Sequence, residues 1–75
     1  MTLDLLRVGE KARVTAVKCQ GFLLTRLADL GLLPGTAIQA VMRSPLGDPT
    51  AYEVRGAVIA IRKEDAQLIE VERER

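Results

Sequence analysis

The chain has 75 residues, a formal net charge of +1, no histidine and one cysteine, Cys19. That length holds one domain with a small core, the charge lacks the basic excess behind non-specific phosphate binding, and a lone thiol excludes an internal disulfide framework. With no apolar run long enough for a bilayer and no charged-then-apolar leader, a cytoplasmic protein without direct membrane insertion is expected.

Thr2 stands where it can cap a single turn over residues 3–6. After Gly9 a first strand is expected over 11–17, with Ala12, Val14 and Ala16 facing one way and Lys11, Arg13 and Thr15 the other. The period then changes. Leu23, Leu27 and Leu30 fall at i, i+4 and i+7, the apolar stripe of a helix over 20–30, and Thr25, Arg26 and Asp29 fall opposite. Phe22, at the helix start, is assigned to the core.

Gly31 occupies the left-handed position that ends a helix, and Leu32 can fold back onto the last turn. Leu33-Pro34-Gly35-Thr36 fits a type II turn, with proline second and glycine third. A second strand over 37–43 leads into the loop Ser44-Pro45-Leu46-Gly47-Asp48-Pro49, where two prolines and a glycine exclude regular structure. Strands over 51–55 and 57–61 flank a reversal at Gly56; one helical turn over 63–66 precedes a last strand over 68–72. Five short strands with one inserted short α-helix predict a mainly β fold, a small antiparallel barrel of the SH3-like or OB-like kind.

Chemistry-bearing groups are sparse. Transition metals favour imidazole, thiolate or clustered carboxylates. Here Asp4, Glu10, Asp29, Asp48, Glu53, Glu64 and Asp65 are scattered, and Glu70, Glu72 and Glu74 alternate with Arg73 and Arg75 as on a solvated edge. No metal site and no cofactor are expected. Without histidine the usual serine or cysteine nucleophile has no base. Cys19, beside Lys18, reads as an ordinary thiol at the strand–helix junction. Gly31-x-x-x-Gly35 lacks the lysine of a phosphate-binding loop. No catalytic residue is assigned, and the chain is not expected to be an enzyme.

Two modest basic edges, Arg7, Lys11, Arg13 and Lys18, and Arg55, Arg62 and Lys63, are diluted by Glu10 and Glu53 and lack clustered aromatic platforms, so no nucleic-acid partner is expected. A protein-binding surface remains, with two candidate regions. One is Leu24, Thr25, Arg26 and Asp29 on the helix; the other is Leu46 and Asp48 in the loop. Arg26 and Asp29 also suit an i,i+3 pair on a solvated face, worth about 0.2–0.5 kcal/mol, and Asp48 also suits a turn cap. Leu46 at a loop tip has no evident reason for burial. The edge of the last strand leaves pairing with a second copy, a homo-oligomer, open.

The series Arg26-Leu27, Leu30-Gly31-Leu32 and Pro34-Gly35 carries a resemblance, with Leu6-x-x-Gly9-Glu10 before it and Gly47-Asp48-Pro49, Tyr52 and Gly56-x-x-Ile59-Ala60-Ile61-Arg62 after it. Together these resemble the FeoA family of ferrous iron transport accessory proteins, in order and across nearly the whole chain. Thr25 stands where family members often carry a second arginine. The resemblance implies a single SH3-like domain over residues 1–75 and a non-catalytic part in transition metal ion homeostasis. It implies docking to an FeoB-type GTP-binding iron permease, at its cytoplasmic GTP-binding domain or its membrane portion, with recruitment to the inner face of the membrane. A second reading is an SH3-like interaction module acting on a metal-dependent transcriptional regulator, and a third is a small-barrel nucleic-acid binder.

Overall fold

Alternation decides the first strand: in β1 (Lys11–Val17), Ala12 and Val14 are buried while Lys11, Arg13 and Thr15 are exposed. The structure, a computed structural model, describes residues 1–74. A 3-10 turn (Leu3–Leu5) precedes β1, and α1 (Gly21–Asp29), β2 (Ala37–Arg43), β3 (Thr50–Val54), β4 (Ala57–Ile61), α2 (Lys63–Ala66) and β5 (Ile69–Arg73) follow. The strands form one antiparallel sheet in the order β4-β3-β2-β1-β5. Register shifts at Val14/Ala16 and at Ala40/Met42 bend it, because an extra residue in one strand raises the local twist. The result is the expected SH3-like form, barrel-like in its curvature although the sheet is not closed.

The concave side holds the core. Leu3, Leu6, Ala12, Val14, Leu32, Ile38, Tyr52, Val54 and Ile69 are all buried there. The helix is one residue shorter than expected at each end, and β3 and β5 each slide by one residue. β3 ends at Val54 because Arg55 and Gly56, at φ 52° and 81°, form a two-residue hairpin turn, whose paired left-handed residues match the strand twist. β5 starts at Ile69 because the Leu68 amide still closes α2, donating to the Asp65 carbonyl at 3.0 Å. The Thr2 hydroxyl bonds the Asp4 side chain and makes no cap bond.

Phe22 is a correction: it is 79% exposed rather than in the core. Among the helix residues Leu27 is fully buried and Leu23 packs partly against the core. Phe22 lies five residues before Leu27, which at about 100° per residue turns it about 140° away from the buried line. Leu30, just past the helix end, is also 42% exposed.

Tyr52 ties the sheet to the N-terminal turn, its hydroxyl donating to the Leu3 carbonyl at 3.4 Å. Burial pushes its phenol above the ordinary 10.0, partly offset by the Thr50 side-chain hydrogen bond and the Arg43 charge. Because the folded value is raised, this contribution to stability is intact below pH 10.0 and is lost as pH rises through the folded value. Tyr52 is the single tyrosine and tryptophan is absent, so phenolate absorbance reports this group alone. Its titration midpoint is expected at higher pH in the folded chain than in urea; equal midpoints would mean that the phenol reaches water in the fold.

Candidate interaction surface

The presentation of α1 is set by two consecutive turns. Gly31 has φ 92°; its amide donates to the Ala28 carbonyl and the Leu32 amide to the Leu27 carbonyl, both at 2.9 Å. These are the two bonds of a Schellman closure, and they place Leu32 beneath the last turn, fully buried. The Thr36 amide then donates to the Leu33 carbonyl at 3.0 Å, with Gly35 at φ 93°, as a type II turn requires. The helix is thereby fixed with its polar side outward.

On that side Thr25, Arg26 and Asp29 are exposed and Leu24 is 39% exposed. The Thr25 hydroxyl donates back to the Gly21 carbonyl at 3.4 Å. Among the described residues the ion pairs are Arg13–Glu74, Lys18–Glu70, Arg62–Glu64 and Arg73–Glu10. Arg26 and Asp29 therefore do not form their i,i+3 pair, and among the described residues the Arg26 guanidinium has no carboxylate partner.

The loop places its two candidates differently. Leu46 is 95% exposed at the tip, over a turn in which the Gly47 amide donates to the Ser44 carbonyl at 2.8 Å. The Asp48 carboxylate accepts the Lys63 amide at 2.8 Å and so fastens the loop to the first turn of α2; its carbonyl accepts the Ser44 hydroxyl at 2.7 Å. A shallow groove between Asp48, Pro49 and α2 shares Arg62 and Glu64 with a second groove beside Arg26. Loop and helix thus flank α2 from either side. The sequence reading passes over Phe22 and Val58 as surface residues; both are largely exposed apolar side chains.

The charges on the sheet are largely spent within the fold. Arg13 meets Glu74 at 3.1 Å, Lys18 meets Glu70 at 3.2 Å and Arg73 meets Glu10 at 3.0 Å. Cys19 is buried with a free thiol. No three ligand-type side chains gather among the described residues, and no helix among them is long and apolar enough to cross a membrane.

Known proteins resemble this chain in sequence and fold. Residues 1–73 match the FeoA domain family. An Fe(2+) transport protein A/Fe(2+) transporter FeoB fusion protein of Porphyromonas gingivalis is 35% identical over 72 residues, 96% of this chain and 8% of that protein. Iron(II) transport protein A from Clostridium thermocellum superposes with a TM-score of 0.93 at 38% identity, over 97% of this chain and 45% of that one. Stenotrophomonas maltophilia FeoA complexed with zinc, described as a procaryotic SH3 domain protein, superposes with a TM-score of 0.86 at 28% identity, over 100% of this chain and 96% of that one. The chain thus spans less than half the length of the first two.

Proposed function

The chain belongs to the FeoA family, and from that premise we propose that it supports ferrous iron uptake as a non-catalytic accessory protein, docking to an FeoB-type GTP-binding iron permease from the cytoplasmic side. One observation carries this reading: the P. gingivalis relative is a transport protein A/FeoB fusion. Joining two modules in one polypeptide holds them at high effective concentration, an arrangement suited to partners that work in contact. The same observation favours a permease over a transcriptional regulator as the partner.

The proposed contact surface is Leu24, Thr25, Arg26 and Asp29 on α1 together with Leu46 and Asp48 in the loop. Leu46 contributes nothing to the core at 95% exposure, so its apolar area is free to be buried elsewhere. Arg26 offers a planar fork of donors that suits a carboxylate or a phosphate oxygen. Asp48 acts at one remove, holding the loop against α2.

Isotope-labelled chain titrated with the soluble GTP-binding domain of the permease, with and without a GTP analogue, tests the reading. Amide shifts are expected to gather on α1 and around Leu46, and Arg26→Ala and Leu46→Ser are each expected to weaken binding about tenfold, the scale of a moderate interface residue. Both side chains are exposed, so both variants keep the fold. Wild-type binding by both would overturn this surface; no shifts with either the domain or the full permease would overturn the docking. GTP turnover separates a further role: if Arg26→Ala still binds but turnover falls, Arg26 also acts on the nucleotide.

A further inference from the structure

β4 leaves one edge of the sheet open. Across its hairpin with β3 the pairs are Val54↔Ala57, Glu53↔Val58, Tyr52↔Ile59, Ala51↔Ala60 and Thr50↔Ile61. Counting from a two-residue turn, alternate pairs exchange both backbone bonds, so Ala57, Ile59 and Ile61 bond to β3. Val58 and Ala60 therefore point their N–H and C=O groups away from it, and among the described residues no backbone bond from outside the sheet reaches them. The opposite edge is covered at Glu70 and Val71. The Val71 amide donates to the Met1 carbonyl at 2.8 Å, the Met1 ammonium donates to the Val71 carbonyl at 3.2 Å, and Thr2 bridges Glu70.

Exposed edges are ordinarily blunted by charge, proline or a bulge. β4 has none of these: it reads Ala-Val-Ile-Ala-Ile, its pairing with β3 is regular, and Val58 is 62% exposed. Beside it lies a groove of about 400 Å³. Ala60 and Ile61 border the groove on the strand side, and Leu23, Arg26, Leu27 and Leu30 border it on the helix side. An open strand facing a helix across a slot with leucines on the helix wall and charged side chains among its borders is the geometry of strand addition, in which main-chain bonds give affinity and alternate side chains give selectivity.

Charge distinguishes the occupants. Two copies pairing antiparallel through Val58 and Ala60 would centre on Ile59. That register brings Arg55, in the turn before β4, to the end that carries Arg62 and Lys63 of the second copy, like charges that disfavour the pair. A foreign segment escapes this clash, and an acidic one gains from Arg26, which has no ion-pair partner among the described residues. Arg62, Glu64 and Asp65 also border the slot; Arg62 pairs with Glu64 at 4.0 Å, so the acidic preference is local to Arg26. We propose that the slot between β4 and α1 takes an extended segment of a partner polypeptide as a sixth strand, with apolar side chains toward Leu23, Leu27 and Leu30 and one carboxylate against Arg26. This inference stands on the edge and the slot and does not depend on the identity of the permease.

The probe is a set of end-blocked peptides of alternating valine and threonine, each with one glutamate at a successive position, and a matched set with lysine instead. Titrated into the isotope-labelled full chain, at least one glutamate peptide is expected to give saturable shifts at residues 58–61 and 23–30. It should bind about tenfold tighter than its lysine counterpart, about 1.4 kcal/mol, and Arg26→Glu should reverse that order. Ala60→Pro removes an outward N–H without touching a bond to β3, a position where edge strands accept proline, and should cost about tenfold in binding. N-methylation of the peptide gives the same test without altering the chain: methylating one alternate set of amides should abolish binding and the other set should not. No saturable shift with any peptide, shifts confined to other surfaces, or an unchanged order in Arg26→Glu overturns the proposal. So do concentration-dependent shifts in β4 without peptide, which identify a second copy as the occupant.

Discussion

Leu32→Ala is expected to remove about 3–4 kcal/mol of stability, within the span of buried leucine truncations. Leu32 is fully buried. Its backbone is fixed between two turns, by its own bond to the Leu27 carbonyl and by the Leu33–Thr36 bond that follows. A site whose main chain is pinned on both sides collapses poorly around a cavity, which keeps the cost above the lower end of the span. A chain of 75 residues has about 4–11 kcal/mol in all at typical stability per residue, so the variant should lose from about a third to nearly all of it. Urea denaturation followed by circular dichroism measures it; a loss under about 1 kcal/mol would mean that neighbouring side chains close the gap.

Gly31→Ala should cost about 1–2 kcal/mol, the penalty of a Cβ in the left-handed region. Gly31 is at φ 92°. A second contribution comes from packing, because a Cβ there would lie 3.1 Å from Arg55 Cδ and 3.6 Å from Val54 Cγ1. Arg55 is exposed and can swing aside, so the backbone conformation should dominate. A double-mutant cycle with Arg55→Ala separates the two. Arg55→Ala should recover only a few tenths of a kcal/mol of the loss; recovery of most of it would put the cost in the contact.

Local punctuation made much of the fold legible. β1 and β2 coincide with their expected spans, and Gly31, Pro34 and Gly35 end the helix and turn the chain as their conformational preferences require. The one-residue error at β3 arises because Arg55, not a glycine or asparagine, takes the first left-handed position of the hairpin turn, a choice composition does not flag. Phe22 lies outside the core because a helix docked along a narrow line buries less of its apolar surface than its sequence suggests.

The candidate surface was legible in the same uneven way. Leu46 is exposed as a loop tip should be, since nothing in the loop turns it inward. The tie from Asp48 to the Lys63 amide spans fifteen residues and exists only once the loop meets α2. The open edge of β4 lay beyond a reading by segments. Which strand ends a sheet depends on order, and here β5 returns beside β1 while nothing returns beside β4.

The stitch of Met1 and Thr2 across β5 has a consequence for how many molecules can join. A unit with two adhesive edges is a monomer in the polymer sense: each addition presents a fresh end, and growth continues into fibres. A unit with one such edge has a valence of one. The cover over Glu70 and Val71 steers association through the sheet toward a pair, so an apolar strand can stay available for binding with less tendency to seed a filament.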